Sequence, residues 1–442
     1  MKKMFNTCRF ALLAGGAVLV TAPVASAATV DCTSLTHPVY IAGASEVKPY
    51  LQQLAILLGS SVSLIYSAPS ACVGLGDVAI TGQTEPGSGF SYLTTAGALE
   101  TCTAGANPYP AISVDIGVSG VYPSTCITPQ IPSPLPASLF DFLGPVQPEE
   151  IVVPWSSSES SISADAAYIV FGYAGQSFMV SPWSASTDIW TRGVTSGAQL
   201  IVGDAIGLRA DKWLSKLGAD AGASQIATST TEMVTDITGS AATNPNATIG
   251  ILGSGTVDPL KNATGGLKPL AFQGIGQDCG YYADSTLNAF DKINVRQGRY
   301  EIWGREHFVT NVDGAGNPVA SPGAASNPVP SADADVQTVI ALITHNPSVV
   351  TLTSTPSLQS VIQAETSAFF VPECAMQVAR TSEIGSETSY QPPVGCGCFY
   401  ESQPHGGAGN LSAYCNTTLC TSNTDCTVPA YPHCNFGYCE AQ

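Results

Sequence analysis

The chain has 442 residues, and 33 acids against 15 bases give it a formal net charge of −18. That balance excludes a nucleic-acid binder and a protein drawn by charge to anionic membrane surfaces. Only 11% of residues are charged while 44% are hydrophobic, which describes a loop-rich globular chain and not a disordered one.

Residues 1–27 read as a secretory signal. Lys2, Lys3 and Arg9 precede or flank an apolar run, and Ala25-Ser26-Ala27 forms a small-residue cleavage site. A periplasmic or secreted protein is expected. No later apolar run has the length of a membrane span, so the mature chain is expected to be soluble. Val39-Tyr40-Ile41 predicts a strand. Ser45 then stands as an N-cap, followed at helical spacing by Val47, Tyr50, Leu51, Leu54, Leu57 and Leu58. Residues 63–66 predict a second strand. The alternation of Ile112, Val114, Ile116 and Val118 predicts a third, ending at Ser119. Ile151-Val152-Val153 predicts a short buried strand bounded by Pro148 and Pro154. Residues 164–171 are apolar all round and predict a buried helix. An amphipathic helix is expected from Ile226 to Ile237 and a strand at 249–252. Residues 314–330 read as a loop, with helices over 334–344 and 358–366. Strands alternating with helices predict an α/β architecture with mostly parallel sheets.

Fourteen cysteines occur, and one of them, Cys8, lies in the signal. Export makes disulfides the expected state of the others. Cys420, Cys426, Cys434 and Cys439 close a segment almost devoid of aliphatic residues, which needs covalent staples. Zinc is the alternative there, with His405 and His433 nearby, but paired C-x2-C knuckles are missing. Pairing is not readable from sequence; Cys102 with Cys126 is a plausible local bridge. The odd number leaves one thiol over.

The segment with most chemistry is Arg192-Gly193-Val194-Thr195-Ser196-Gly197-Ala198. It sets a guanidinium four residues before a Ser-Gly pair that opens an apolar helical run. A cation, a hydroxyl and free backbone N–H groups at one helix start can seat a tetrahedral anion. A surface arginine before a plainly capped helix is the bland alternative. In α/β sheets, ligands sit where strands end and helices begin. Three loops share that position: Ala42-Gly43-Ala44-Ser45, Ser67-Ala68-Pro69-Ser70, and the end of the third strand at Ser119-Gly120. They offer hydroxyls and N–H groups but no histidine, which suits holding an anion better than transforming one.

These segments, in this order, resemble the type II periplasmic-binding-protein superfamily, specifically the phosphate-binding protein of ABC uptake systems and its exported relatives. The resemblance rests on Gly43-Ala44-Ser45, on Asp115-Ile116-Gly117-Val118-Ser119-Gly120, and on Arg192 to Ala198, and spans roughly residues 37 to 310. It implies a bilobed fold, two mostly parallel sheets joined by a hinge, with a small disulfide-rich C-terminal module added. The corresponding division is a signal at 1–27, lobe I at 28–150, lobe II at 151–290, a return segment at 291–395 and a cysteine-rich module at 396–442. It implies ligand contacts from Ala44, Ser45, Ser67, Ser70, Ser119, Gly120, Arg192, Ser196, Gly197 and Ala198. The ligand would be phosphate or another small oxyanion, the partner an ABC permease, with no cofactor, metal or catalytic residue. Two positions depart from the family. Gly120 stands where it has an aspartate that accepts a proton from the ligand, and Ala198 where it has a threonine. Loss of that acceptor removes the feature that rejects fully ionised oxyanions.

Two other readings compete. One is an exported structural or interaction protein with a degenerate binding fold. The other is a serine acyl-enzyme hydrolase, from Ser45-Glu46-Val47-Lys48, but its companion S-x-N and K-T-G motifs are lacking.

Overall fold

A central strand of the main sheet, β1 (Pro38–Gly43), is buried at every position. It pairs in parallel with β2 (Ser63–Ser67). A strand covered on both faces reads as an unbroken apolar run, which is why Val39-Tyr40-Ile41 shows no alternation. The computed structural model describes residues 30–103, 111–173, 180–213, 226–322, 331–346, 352, 355–411 and 415–441. The proposed signal lies outside them.

Beyond β2 the sheet continues through β3 (Ser91–Leu93) and β4 (Leu99–Thr103), both antiparallel. On the other side β1 pairs in parallel with β5 (Ile116–Ser119). The alternating run predicted as one strand is therefore two. Ala111–Ile112 pairs separately with Glu85–Pro86. The break at Asp115 has a cause: its buried carboxylate accepts from the Tyr40 and Ser321 amides and from the Ser331 hydroxyl. Burial still pushes its carboxyl up to about 6.

The long element is β6 (Leu139–Pro154), 16 residues where the sequence predicted only 151–153. Pro145 and Pro148 look like breakers because proline cannot donate to a ladder. They are accommodated. After β7 (Gly250–Gly253) and β8 (Leu267–Pro269), the chain returns as β9 (Trp303–Val312). The first part of β6 pairs antiparallel with β9, and residues from Glu149 on pair with β7 and β8. The register shifts between Arg305 and His307, where Gly144 and Pro145 together face Glu306. The extra residue is on β6, so β6 bends opposite Glu306.

The α/β class and the disulfide-rich C-terminal module are as expected. The strand directions are not. The main sheet is one continuous mixed sheet, parallel at β1 with β2 and β5, and antiparallel through β5, β9, β6 and β7. Short returns such as β3–β4 allow antiparallel pairing, which helix-length crossovers do not require.

Two main apolar centres flank this sheet. One gathers Tyr50 and Leu54 of α1 (Lys48–Leu58), Val118, Val339, Val361 and Phe370. The other gathers Ile151 and Val153 with residues of α3 (Ala164–Tyr173), α4 (Gly197–Ala205) and α5 (Thr230–Gly239), α2 (Ala71–Ala79) having come before them. Later in the chain come α6 (Asp333–Ile343) and α7 (Leu358–Ser367), beside short helices at Ser254–Val257, Ile293–Arg296 and Gly397–Ser402. Ser45 is not the N-cap of α1. It starts a 3-10 turn at Ser45–Val47, and Val47 caps α1 without a side-chain bond.

Six disulfides form among the described residues: Cys32–Cys102, Cys72–Cys126, Cys374–Cys396, Cys398–Cys415, Cys420–Cys434 and Cys426–Cys439. The suggested Cys102–Cys126 bridge is wrong, because Cys102 is on β4 beside Val30–Asp31, and Cys126 is carried to α2 instead. Zinc in the tail is excluded by the same pairing, since every tail thiol is consumed. The leftover cysteine is Cys279, exposed. Cys72–Cys126 closes a separation of 54 residues. Its replacement by two serines should lower stability by about 4 kcal/mol on the loop-entropy estimate. Urea unfolding of the variant measures this.

Candidate functional site

β1 ends at Gly43, where a Cβ would stand 1.9 Å from the Val118 carbonyl oxygen, so only glycine lets the chain turn there. The Ala44 amide then donates to that carbonyl, and the Tyr66 hydroxyl donates to the Ala44 carbonyl at 2.5 Å. This fixes Ser45 at the mouth of the turn. Its hydroxyl pairs with that of Thr230, the first residue of α5, at 2.7 Å.

Arg192 comes from the other part of the chain and is 4% exposed. Its Nε donates to the Ala227 carbonyl at 3.1 Å, and its Nη2 reaches the Ser45 hydroxyl at 3.4 Å. The following loop is tied to α2 by the Cys72 amide donating to the Thr195 carbonyl. Ser196 caps α4 by position, yet its hydroxyl makes no hydrogen bond and is buried. Gly197 opens α4 directly against the first part of the chain: a Cβ there would lie 2.9 Å from Glu46 Oε1 and 3.6 Å from the Gly120 nitrogen. Ala198 follows, buried within the first turn.

So Ala44, Ser45, Gly120, Arg192, Ser196 and Gly197 form one neighbourhood. Ser70 stands at the start of α2 with a buried hydroxyl that has no partner. Two of the residues named from sequence are used elsewhere. The Ser67 hydroxyl donates to Glu85 at 2.8 Å, and Glu85 with Asp77 lines a separate groove of about 500 Å³. The Ser119 hydroxyl donates to the Val121 carbonyl and accepts from the Val121 amide, a closed local turn. A short hydroxyl side chain satisfied by its own turn has little left for a ligand.

None of the carboxyls around this neighbourhood was among the residues expected there. A Cβ at Gly120 would be 3.6 Å from Glu46 Oε1 and 3.7 Å from Glu306 Oε1. The space beside the glycine is thus faced by carboxyls from two other places in the chain. Glu46 Oε1 and both oxygens of Glu306 are buried without a hydrogen-bond partner, as is Glu149 Oε2. Burial pushes the Glu46 carboxyl up, against the pull of Arg192. Burial and then Glu46 push Glu306 well above the ordinary carboxylate range. Burial, Glu46 and Glu306 do the same to Glu149. The available signal was an acid inside an apolar strand or helix start, as in Glu149-Glu150-Ile151-Val152-Val153.

A carboxyl raised in the folded state contributes most below its unfolded value, and that contribution is lost as pH rises through the folded value. Glu306→Gln removes the penalty without changing shape. Relative to the parent, this variant should gain stability on going from pH 5 to pH 8, by about 1–3 kcal/mol for a buried unsatisfied group. Thermal scans at the two pH values measure it.

A second buried cluster lies nearby. Lys261 Nζ stands 2.5 Å from Asp258 Oδ1 and 2.6 Å from Asp284 Oδ2, and Lys292 Nζ 2.5 Å from Asp258 Oδ2 and 2.8 Å from Asp284 Oδ1. Asp258 and Asp284 converge with Glu150, but the two ammonium groups already face them as cations.

No protein-family model matches the chain, and no curated protein matches it. Solved structures do. One is a putative phosphate ABC transporter substrate-binding protein with bound phosphate from Clostridium perfringens, 11% identical, covering 71% of this chain and 96% of that one, with a TM-score of 0.41. Another is a high-affinity periplasmic phosphate-binding protein, PfluDING, bound with phosphate, at 12% identity, 76% and 90% coverage and a TM-score of 0.41. The OxyR regulatory domain from Pseudomonas aeruginosa also matches, at 10% identity, 63% and 91% coverage and a TM-score of 0.32. Overlap of this size leaves ligand and partner to be read from the site's own atoms.

Proposed function

We propose that the chain is an exported solute-binding protein that holds a small oxyanion, phosphate-like in size, between its two halves. The observation that carries this reading is the meeting of the buried Arg192 with Ser45, whose neighbour Glu46 lies against the start of α4, among buried polar atoms that have no partner. Such atoms are uncommon in folded proteins and mark places where a ligand or water completes the bonding. Six disulfides support an oxidising, extracytoplasmic compartment. The division into lobe I (28–150), lobe II (151–290) and a return segment (291–395) belongs to the same proposal, with β6 as the first crossover. A permease would be the partner of such a receptor. We read the role as capture: the groups gathered here among the described residues are donors and largely neutral carboxyls.

Glu46 and Glu306 change the meaning of Gly120. The acceptor that the family carries at that position is supplied in space by these two carboxyls. Once a ligand's proton is within reach, one of the two can ionise and accept it, while it repels an oxyanion with no proton to share; sulfate should bind poorly. Isothermal calorimetry of the refolded, ligand-stripped chain against phosphate and sulfate tests this. Micromolar binding of phosphate with sulfate at least tenfold weaker is expected.

One observation favours a second reading. Glu46 sends its own carboxyl beside Gly120 and Gly197, within the electrostatic reach of Arg192. A protein that fills its anion seat with its own acid would be a structural or interaction protein, and no oxyanion would then shift its melting temperature.

A further inference from the structure

We propose that the chain carries a second binding site, for a small monocarboxylate of acetate to propionate size, in the cavity between the start of β9 and the short strand Val378–Ala379. None of the residues placed around Arg192 lines this cavity. The inference therefore goes beyond the oxyanion reading and does not rest on it.

The cavity measures about 60 Å³. Arg305, Arg380, Glu373 and Tyr390 give it a polar wall, and Val146, Trp303 and Met376 an apolar one. The Arg380 guanidinium lies 4.0 Å over the centre of the Trp303 ring, and the residue is 8% exposed. Its Nη1 donates to the Glu301 carbonyl at 3.0 Å. Its Nη2 is buried and has no partner among the described residues. A buried carboxyl can turn neutral and donate, but a guanidinium stays charged and only donates. What is missing beside Arg380 is therefore an acceptor. Leaving a buried donor without one is costly, and more so for a charged donor.

The acids near Arg380 do not fill that role. Burial disfavours its charge by more than Glu383, Glu387, Tyr122 and Glu301 restore. Glu387 Oε1 accepts from the Trp303 indole at 3.0 Å, and Glu383 Oε1 from the Tyr122 amide at 2.6 Å. Glu301 Oε1 is turned toward Gly274, where a Cβ would stand 2.0 Å from it. Glu383 Oε2 is buried and unpartnered too, but Glu383 does not line the cavity. Within the lining one acid answers two cations. Glu373 Oε1 faces Arg305 Nη2 at 2.7 Å and accepts from the Tyr390 hydroxyl at 2.7 Å. Burial raises the Glu373 carboxyl, and Arg305 and Tyr390 more than offset this, so it stays ionised. Two guanidinium groups against one carboxylate leave a single positive charge.

Size and wall select the anion. At about 10–15 Å³ for each water-sized group, the space takes about four to six non-hydrogen atoms, the range of acetate and propionate. A carboxylate offers two acceptor oxygens, the partner that guanidinium groups bind best. Its alkyl end meets Trp303, Val146 and Met376. Sulfate or phosphate would turn some of its oxygens against that apolar wall and leave them unpaired. Chloride supplies the charge but gains nothing from the wall.

The experiment uses the full chain at pH 7 in a buffer free of carboxylate and phosphate. Calorimetry and melting curves are recorded with sodium acetate and sodium propionate, against sodium chloride and sodium sulfate at matched ionic strength. Propionate should bind tenfold or more tighter than chloride and raise the melting temperature. Arg380→Met, which keeps a long side chain over Trp303, should lose this binding. Ala379→Leu fills the cavity and leaves both guanidinium groups in place, so it should lose the binding even where Arg380→Met folds poorly. Glu383→Gln should keep it, because that carboxyl is outside the lining. Propionate binding that survives Ala379→Leu but is lost in Arg192→Ala belongs to the other site and overturns this inference. A response to chloride equal to that to propionate, or no response to either carboxylate, overturns it as well and leaves the phosphate reading untouched.

Discussion

Replacing Arg192 with alanine should abolish ligand-induced stabilisation and leave the chain folded. The guanidinium is buried, and its one strong internal bond is to the Ala227 carbonyl. Losing that bond should cost about 1 kcal/mol of stability. The neighbouring carboxyls do not become stranded charges, because burial already favours their neutral forms. Binding suffers more. A charge-assisted contact to an oxyanion in a buried site is worth about 3 kcal/mol, which is more than a hundredfold in Kd. Calorimetry with phosphate measures the loss, and a circular-dichroism melt shows that the fold persists. Unchanged affinity in this variant would remove Arg192 from the site and the oxyanion reading with it.

A large effect on stability should come from the second buried cluster. Lys292→Met leaves Asp258 and Asp284 facing only Lys261, in a place where neither side chain of the original pairings is more than 1% exposed. Breaking one partner out of a buried ion pair typically costs about 3–5 kcal/mol, because the remaining charge is stranded. Urea unfolding at pH 7 should show a loss of that order. Adding Asp258→Asn to the lysine variant should recover part of it, since the charges balance again. The pH dependence has two edges. Burial pushes the Asp284 carboxyl up, but Lys292 and Lys261 more than offset it and hold it below the ordinary range. A depressed carboxylate contributes above its unfolded value and loses that contribution as pH falls through the folded one. Burial lowers Lys292, and Asp258 and Asp284 reverse this and raise it. Its contribution is complete below the ordinary lysine value and is lost only as pH rises beyond it. The cluster should therefore contribute in full between about pH 4 and pH 10, and the difference between parent and Lys292→Met should shrink on acidification. A difference that grew toward acid would contradict this assignment.

Much of the secondary structure was legible locally. Leu51, Leu54 and Leu58 on one face of α1 and the uniformly apolar 164–171 segment declare helices within a few residues of themselves, and α1 and α3 occur there. The helix starting at Gly197 was announced by the Ser-Gly pair and the apolar run behind it. β6 was not legible, because Pro145 and Pro148 mimic strand ends; the bulge opposite Glu306 takes up the mismatch. Ser67 and Ser119 show the same limit on the side of chemistry. A hydroxyl at a strand end looks free in sequence, and its partner, Glu85 in one case and Val121 in the other, depends on how the loop closes.

The sequence by itself determined the α/β alternation, the need for staples in the tail, and the arginine four residues ahead of a helix start, because each is written in neighbouring residues through periodicity, composition or spacing. Only the tertiary structure decided which cysteines meet, which serines are spent on their own turns, and that Glu46 and Glu306 stand beside Gly120. Those contacts join distant parts of the chain, and strand order together with one bulge sets them; no local pattern encodes either.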